Sequence, residues 1–394
     1  MSRGSYTASR LFDGTDAGGR STRRLWTPAW GAVIAALGLS LFGIAAIATT
    51  RPELAARQGV FLAVGLGCAA CALFVPPRAL RTISWFALAL AVALLVFVLL
   101  PFVPRSIVTP RNGARAWIDL GVADFQPSEL AKIAFILCLS QWLALRGSPR
   151  TLRSLAGPAA LLAIPVGLIV LEPDLGSALL FLPTILGMLV AAGARARHVV
   201  GAVLLAAAMA PVAYFGVFKP YQRARIDAIV AQVKGDTRFE RDIGFQGWRA
   251  MRLVGAGGVF GNDLEHARAL IRHNALPEEH NDMIFAVIGC RFGLVGGGAL
   301  LLAYALYAGS ALAVAVLARD GFSKLVATGI ASLIFGQMTV NIGMTIGLLP
   351  ITGVTLPFAN YGGSSLVACW LLTGILLSIG TDPPTGGERD PFDG

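Results

Sequence analysis

Ten stretches of the sequence are long and apolar enough to cross a lipid bilayer, and no other feature constrains the fold as strongly. The hydrocarbon core of a membrane is about 30 Å thick, and an α-helix needs about 20 apolar residues to cross it. The ten candidate spans are 26–49, 55–75, 81–103, 127–145, 154–171, 176–193, 197–218, 283–317, 323–348 and 361–380. The sequence therefore predicts an all-α, polytopic integral membrane protein with about ten transmembrane helices.

The composition agrees with a membrane protein. Hydrophobic residues make up 56% of the 394-residue chain and charged residues only 14%, whereas a soluble domain averages about 25% charged residues. The net charge of +10 is weak support for a nucleic-acid partner, because the basic residues are scattered between apolar runs. We therefore expect contact with membrane lipid and no nucleic acid.

The eighth candidate span, 283–317, is longer than one crossing requires. Such a helix is tilted, extended into water or bent, and the run Gly296-Gly297-Gly298 is where a bend is expected. The fifth and sixth spans are short by comparison, and only Glu172-Pro173-Asp174-Leu175 separates them. This four-residue segment predicts a tight turn between two spans.

Positive charges predict the orientation of the spans. Ten spans place both termini on one side, and short loops rich in Lys and Arg stay in the cytoplasm. The short loops that share a side with the N-terminus carry Arg78, Arg81, Arg146, Arg150, Arg153, Arg195, Arg197, Arg319 and Lys324. The sequence therefore predicts that both termini are cytoplasmic.

Three regions follow from this topology. Residues 1–25 are polar and rich in Gly, Ser and Arg, and predict a disordered cytoplasmic tail with no cleavable signal peptide. Residues 26–380 form the membrane domain, and 381–394 a cytoplasmic C-terminal tail. Between spans seven and eight, residues 219–282 form a long extracytoplasmic loop, whose pattern predicts amphipathic helices at the membrane surface.

Patterns that suggest redox, metal or nucleotide sites lack the context that such sites need. Cys68 and Cys71 form a C-x-x-C motif inside an apolar run, without a second ligand pair. The three histidines of 266–280 recur every seven residues, but no cysteine or acid pair completes a zinc shell. The glycine-rich segment 255–261 follows no predicted strand, so we interpret it as a flexible turn rather than a dinucleotide fingerprint.

Five acidic residues next to the predicted spans lie on the predicted outer side. Asp119 and Glu129 flank the start of the fourth span, Glu172 and Asp174 form the outer turn, and Asp282 closes the long loop. Charges beside hydrocarbon are costly to desolvate, so their convergence on one surface favours a functional site.

Structural roles remain open for these acids. Asp282 lies where it caps the eighth helix. Glu129 and Lys132 are three residues apart on one helix face, which also fits a structural ion pair.

Five segments carry a resemblance to a known family. They are GARAWIDLGVADFQPSELAKIA (113–134), EPDLGSALL (172–180), KPYQRARI (219–226), LPEEHNDMIFAVIG (276–289) and VNIGMTIGLLPITGVTLPFANYGGSSL (340–366). In sequence and in order these segments resemble the RodA/FtsW/SpoVE family of bacterial shape, elongation, division and sporulation proteins. The resemblance implies a ten-span peptidoglycan glycosyltransferase of the bacterial cytoplasmic (inner) membrane that polymerises lipid II. It also implies a class B penicillin-binding protein, a transpeptidase on a separate chain, as the partner.

The resemblance assigns roles to individual residues. The family's essential aspartate, proposed to be catalytic, corresponds to Asp282, and the acid and base of its Q-P-S-E-x-x-K stretch correspond to Glu129 and Lys132. The acid of the P-D-x-G turn corresponds to Asp174. A sugar hydroxyl that attacks an anomeric carbon needs a carboxylate to take its proton, and we expect Asp282 to be this general base in an inverting displacement.

Cations are expected to hold the pyrophosphate of the lipid-linked substrate, because charge-assisted contacts to phosphate are strong. The candidates are Lys132, Arg115, Arg223 and Arg225. Two roles stay open for Glu129 and Asp174: they orient Lys132, or they bind a divalent cation, Mg²⁺ or Mn²⁺, that bridges the phosphates.

The chain departs from the family pattern at several positions. Cys290 and Arg291 stand where the family commonly has two acids, Arg249 replaces a usual glutamine, and Asn360 replaces a serine. Arg291 falls on the helix face opposite Asp282, so we expect it to contact another span.

Two other classes of function remain. A flippase or transporter of lipid-linked precursors suits polar groups inside the spans, such as Arg291 and Asn341. A catalytically weakened scaffold that recruits a transpeptidase would suit the change at Cys290 and Arg291.

Overall fold

The computed structural model describes residues 26–104, 106–108, 114–121, 123–151, 153–217, 220–233 and 244–382. The helices in these ranges are α1 (Ala29–Thr50), α2 (Pro52–Leu73), α3 (Pro77–Leu99), α4 (Pro127–Arg146), α5 (Ala156–Leu171), α6 (Leu175–Leu179), α7 (Phe181–Ala191), α8 (Ala196–Val212), α9 (Pro220–Val233), α10 (Phe245–Ala256), α11 (Leu264–Asn274), α12 (Ile284–Leu317), α13 (Gly321–Thr345) and α14 (Gly363–Thr381). A short antiparallel hairpin before α4 pairs β1 (Ile118–Asp119) with β2 (Asp124–Phe125). A 3-10 turn at Arg153–Leu155 precedes α5, and a π-helical turn at Ala213–Val217 continues α8.

Eight helices in this part of the chain are long and apolar enough to cross a membrane. They are α1 to α4, α5 with its preceding turn, and α12 to α14. The predicted sixth and seventh spans correspond to shorter helices, because α6 and α7 separate at Leu180 and α8 has 17 residues. The prediction of an all-α polytopic membrane protein is confirmed, and the number of crossings stays a prediction. The predicted N-terminal tail 1–25 and residues 383–394 of the predicted C-terminal tail 381–394 lie outside the described residues, and Thr381 is the last residue of α14.

Proline and aspartate mark where several helices begin. Pro52, Pro77 and Pro127 occupy the first turns of α2, α3 and α4, where the missing N–H of proline costs no helix hydrogen bond. The carboxylates of Asp263 and Asp320 cap α11 and α13 by accepting a backbone N–H of the first turn, at 2.8 and 3.1 Å. These local signals explain why the predicted spans agree closely with the helices.

Three helices form the centre of the bundle. About three quarters of α4, α13 and α14 is buried, at 72%, 78% and 72%, compared with 28% for α2 and α3 and 22% for α5. Small residues let the central helices approach their neighbours, because a Cβ on Gly374 of α14 would overlap the backbone of Ala69 in α2. The central helices also begin or end beside the polar residues discussed below.

Helix α12 is bent at Gly293, whose backbone angles are φ 66° and ψ −162°. The bend frees the N–H groups of Leu294 and Val295, which donate to the carbonyls of residues 258 and 259, both at 3.0 Å. The sequence predicts a bend at 296–298. The bend in the structure lies at Gly293, three residues before that run. Its cause is the backbone of a distant turn that enters the break, not the local run of glycines.

The glycine-rich turn 255–261 packs tightly against α12 and does not form the flexible turn that the sequence predicts. A Cβ on Gly257 or Gly261 would overlap backbone atoms of α12. The Asn262 side chain, directly after the turn, donates to the carbonyl of Cys290 at 2.8 Å. The turn and the broken helix therefore satisfy each other's backbone groups, as buried backbone requires.

The long segment between α8 and α12 contains α9, α10 and α11, and residues 234–243 within it lie outside the described part. Helix α10 buries Gly247, Ala250 and Leu253, while α11 buries Ala267 and Ile271. Buried residues three or four positions apart are typical of amphipathic helices. Both helices pack against α12, and their place at the membrane surface stays a prediction.

Candidate functional site

Polar residues from six helix ends meet at one end of the bundle. The Gln126 backbone N–H, at the start of α4, donates to the Ser364 hydroxyl at the start of α14, at 3.1 Å. The Gln126 carboxamide donates to Asp174, between α5 and α6, at 3.2 Å. The backbone carbonyl of Asp282, before α12, accepts from Asn341 near the end of α13. The structure therefore brings Glu129, Lys132, Asp174 and Asp282 to the same end of the molecule.

Glu129 and Lys132 form a buried ion pair in the first two turns of α4. The Lys132 Nζ lies 2.9 Å from Glu129 Oε1, and the two residues are 3% and 7% exposed. Desolvating two charges is costly, and their mutual attraction offsets this cost only when the geometry is good. The pair therefore supplies a fixed cation, held by its own counter-ion, beneath the polar end of the bundle.

Asp174 makes three hydrogen bonds. Its Oδ1 accepts the Ser177 backbone N–H at 3.0 Å and caps α6, and its Oδ2 accepts the Ser177 hydroxyl at 2.7 Å. The third bond is the one from Gln126, which ties α6 to the start of α4. Asp174 therefore fixes the turn between α5 and α6 relative to the buried ion pair.

Glu172 has a different environment from Asp174, although only Pro173 separates them. It is 1% exposed, and neither carboxyl oxygen has a hydrogen-bond partner among the described residues. Burial, and then the charge of Asp174, raise the pKa of Glu172 to about 9. Glu172 is therefore protonated and neutral near pH 7, unlike the charged outer acid that the sequence suggests.

Asp282 is half-buried and precedes α12 by two residues. Its backbone carbonyl is held by Asn341, and its side chain faces Gly353, since a Cβ there would lie 3.9 Å from Asp282 Oδ2. The cap position of α12 is Met283, which makes no side-chain capping bond. Asp282 is therefore positioned by contacts with α13 and the segment after it, and not as the helix cap that the sequence left open.

The segment 352–354 lies between Asp282 and Asp174. Gly353 faces Asp282, while a Cβ on Gly176 would overlap the carbonyl of Thr352 and lie 3.1 Å from the Val354 side chain. Asp282 and Gly176, which lies two residues after Asp174, thus contact one segment without regular secondary structure. Sequence reasoning missed this segment, although it lies within the family-like stretch 340–366.

Two of the predicted pyrophosphate-binding arginines, Arg115 and Arg223, have described side-chain contacts. Arg115 donates to the Val103 carbonyl at 3.0 Å in the loop after α3, and its Nε is a buried donor without an acceptor among the described residues. Arg223 of α9 donates to the Phe215 carbonyl at 2.9 Å. The side chain of Arg225 lies outside the described residues. Arg115 therefore lies in the loop after α3, whereas Arg223 lies on helix α9.

The described residues do not offer a divalent cation a ready set of ligands. They contain no group of three or more His, Cys, Asp or Glu side chains that would hold a metal ion. Glu129 is paired with Lys132, and both oxygens of Asp174 accept hydrogen bonds. The cation role of these two acids stays a prediction, and orientation of Lys132 fits the geometry of Glu129 directly.

Comparison with known proteins gives this arrangement a context. A profile of the FtsW/RodA/SpoVE proteins, described as cell cycle proteins, matches residues 28–383. The chain belongs to this family. It is 34% identical to stage V sporulation protein E of Bacillus subtilis over 329 residues, which cover 82% of this chain and 86% of that protein. It is 35% identical to the peptidoglycan glycosyltransferase MrdB of Escherichia coli over 270 residues, which cover 68% and 72% of the two chains.

Solved structures of the FtsW/RodA/SpoVE family share the fold. A chain of a peptidoglycan synthase complex, described as coordinating polymerization and crosslinking, matches with a TM-score of 0.75 and 31% identity. The match covers 90% of this chain and 98% of that one. The rod shape determining protein RodA of Thermus thermophilus matches with a TM-score of 0.66 and 28% identity, over 90% and 97% of the chains. The resemblance that the sequence motifs carry is confirmed.

The departures from the family pattern have structural roles. Arg291 donates to the backbone carbonyl of Asn262, in the turn that enters the α12 bend. This partner is a turn and not another span, so the expectation for Arg291 is wrong. Arg249 donates to the Ala275 carbonyl at 2.7 Å and lies 3.7 Å from the ring centroid of Phe245. Arg249 therefore joins α10 to the end of α11, and Arg291 joins α12 to Asn262, which precedes α11.

Proposed function

We propose that the chain is a peptidoglycan glycosyltransferase that polymerises lipid II at the outer face of the bacterial cytoplasmic membrane, for cell shape or division. The observation that carries the proposal is the position of Asp282. Asp282, whose backbone carbonyl is held by the buried Asn341, lies at the same polar end of the apolar helix bundle as the buried Glu129–Lys132 pair. The Escherichia coli relative MrdB is named as a peptidoglycan glycosyltransferase.

Asp282 is the proposed general base. The lipid tails of two substrates stay in the membrane while their sugars emerge at its surface, so the base must lie at the end of the spans. A hydroxyl is a weak nucleophile near neutral pH, and a carboxylate that takes its proton contributes typically about 10²–10⁴-fold. The rigid backbone contacts of Asp282 limit its movement, which favours a fixed geometry of attack.

The leaving group carries the charge of a pyrophosphate, and we propose that Lys132 stabilises it electrostatically. Glu129 orients Lys132 through the 2.9 Å contact. Arg115 has a buried Nε donor to offer an anion, and charge-assisted bonds to phosphate are among the stronger ones. Arg223 and Arg225 are proposed as further phosphate ligands. The single displacement inverts the anomeric carbon and needs no covalent intermediate.

Transport is less well supported than polymerisation. The sequence suggests transport through the polar groups Asn341 and Arg291. Asn341 instead donates to two backbone carbonyls, and Arg291 to one. In these contacts both side chains therefore tie backbone segments together, and neither contact belongs to a path across the membrane. The scaffold alternative, which rests on Cys290 and Arg291 in place of the family's two acids, stays a prediction.

The proposed partner is a class B penicillin-binding protein, a transpeptidase on a separate chain. The support is the likeness to a chain of a peptidoglycan synthase complex described as coordinating polymerization and crosslinking. Both termini are proposed to be cytoplasmic, because the short loops on their side carry the excess of arginine and lysine.

Purified chain and lipid II test the proposal directly. Detergent micelles have no compartments, so glycan strands formed there require an enzyme and not a transporter. We expect strands to form, and to form faster when the transpeptidase partner is present. A chain that moves lipid II across sealed vesicles but forms no strands in detergent would overturn the proposal. A chain that forms strands only with an added polymerase would identify a scaffold.

A further inference from the structure

A cavity of about 580 Å³ is lined in part by residues 275–280, which precede Asp282 in the chain. Its walls come from the turn between α1 and α2, from the end of α11 and from residues 275–280. The polar side chains that line it belong to Thr50, Arg51, Arg272, Glu278, Glu279 and His280. No residue of the proposed chemistry lines this cavity.

The cavity presents both signs of charge. Arg51 and Arg272 bring cations from two different elements, while Glu278 and Glu279 bring carboxyl groups. The Arg51 Nε lies 3.8 Å from Glu279 Oε1, which is beyond hydrogen-bond distance and leaves room for a competing ligand. A simple phosphate or a lipid tail fits such a lining poorly. A ligand that carries both carboxylates and an ammonium group fits it well.

The lining also contains an unused polar atom. The Nδ1 of His280 is buried and has no hydrogen-bond partner among the described residues. Burial lowers the pKa of His280, and the charge of Glu278 opposes this effect. A neutral imidazole offers one donor and one acceptor, so it suits an amide group of a peptide backbone. Buried polar atoms without partners call for an explanation, and a ligand provides one.

The cavity is close to the reacting atoms. His280 lies two residues before Asp282, and two residues span at most about 7 Å. Its carbonyl accepts the Tyr361 backbone N–H at 2.8 Å, which anchors the segment to the start of α14. In a lipid-linked muramyl sugar, the peptide stem leaves the same ring as the anomeric carbon that is attacked. A stem on that sugar therefore extends to within reach of a cavity beside the base.

We propose that this cavity binds the peptide stem of the lipid-linked donor sugar and that Arg51 and Arg272 recognise the stem carboxylates. The inference rests on the proposed function, because it assigns the stem of the same substrate. Glu278 and Glu279 face the amino group of the diamino acid in the stem. The cavity thus makes the enzyme selective for substrates with a full stem.

Two substrates test the inference in a polymerisation assay. One is lipid II with its complete pentapeptide, and the other is lipid II with the stem cut back to its first residue. We expect wild-type kcat/KM to be about tenfold higher for the complete stem, which is the effect of one or two charge-assisted contacts. Arg272→Ala is expected to bring the ratio of the two kcat/KM values to about one.

Arg57→Ala is the matched control. It removes the same charge from an exposed position on α2, six residues after Arg51 and outside the cavity lining. We expect the control to keep the wild-type ratio. Equal kcat/KM values for both substrates with the wild-type chain would overturn the inference and leave the proposed function intact.

A binding measurement separates the two proposals. Calorimetry with soluble muramyl pentapeptide, which has no lipid and no pyrophosphate, needs no polymerisation. We expect binding to the wild-type chain and to Arg57→Ala, and weaker binding to Arg272→Ala. A chain that binds this peptide but forms no glycan would overturn the proposed function alone. A chain that polymerises lipid II but does not bind the peptide would overturn the stem site alone.

Discussion

The Asn341 carboxamide donates to the backbone carbonyls of both Asp282 and Val354, each at 2.7 Å. Asn341 is fully buried, and its helix, α13, is the most buried of the eight candidate spans. The amide group thus joins Asp282 to the segment 352–354, which the Asp282 side chain faces. The Asn341 side chain therefore holds in place both Asp282, the proposed base, and the segment beside it.

Replacement of Asn341 by Leu is expected to lower both stability and activity. The change keeps the side-chain size but leaves two buried carbonyls without donors, at a cost of about 1–3 kcal/mol for each unsatisfied group. We expect a lower Tm in detergent and a polymerisation rate reduced more than the fraction of folded protein. Thr339→Val on the same helix is the control, because among the described residues the Thr339 hydroxyl bonds to the carbonyl of Phe335 in its own helix. Equal Tm values and polymerisation rates for the two variants would contradict the role of Asn341 in holding the two carbonyls.

Asp282→Asn is expected to abolish most polymerisation without unfolding the chain. The amide keeps the shape of the carboxylate but lacks the basic lone pair, so kcat is expected to fall by about 10²–10⁴-fold. The rate with lipid II and the yield of folded protein are measured together. Asp119→Asn, an exposed acid on β1, serves as the comparison. A near wild-type rate for folded Asp282→Asn would show that another group accepts the proton.

The helices were predictable from the sequence because they depend on apolar length and local start signals. Each predicted span agrees with a helix or helix pair to within about four residues at either end. The bend in α12 was not predictable in this way. It forms at Gly293 because residues 258–259 supply carbonyls to the freed N–H groups, and these partners are more than 30 positions away in sequence.

The candidate site was predictable in its charged residues but not in the groups that position them. Motifs and topology single out Asp282, Asp174, Glu129 and Lys132. The roles of Asn341 and of the segment 352–354 depend on contacts between helices, which no local pattern reports. Glu172 shows the same limit. Its burial distinguishes it from Asp174, and no local pattern in the sequence reports that burial.

A double-mutant cycle on Glu129 and Lys132 separates a structural ion pair from a functional cation. Glu129→Gln or Lys132→Met alone leaves one buried charge unpaired, which is expected to cost about 3–5 kcal/mol. The double variant removes both charges, so we expect most of the stability to return. If Lys132 stabilises the pyrophosphate, the polymerisation rate stays low in the stable double variant. Recovery of the rate together with the stability would assign the pair a purely structural role.

The protonated Glu172 is expected to make the stability of the chain depend on pH. Its pKa is about 9 in the folded chain, above the ordinary value of 4.5, so the folded state keeps a proton that the unfolded state has released. The stability from this group is complete below about pH 4.5 and is lost as the pH rises through about 9. We expect the Tm of the wild-type chain to fall between about pH 6 and 9 more steeply than that of Glu172→Gln. Glu265→Gln, whose carboxyl is exposed, should keep the wild-type slope.

The close packing of the 255–261 turn against α12 gives the last prediction. Gly261 has φ 80°, and a Cβ there would overlap the Arg291 carbonyl, so Gly261→Ala strains the backbone and displaces the broken helix. We expect a loss of about 1–3 kcal/mol in stability together with lower activity, because the part of α12 before the bend begins two residues after Asp282. Gly298→Ala in the same helix is the control, since a Cβ there meets no atom within 4 Å. Thermal unfolding and the lipid II assay measure both variants, and a Gly261→Ala chain as stable and active as Gly298→Ala would show that the turn does not hold the bend.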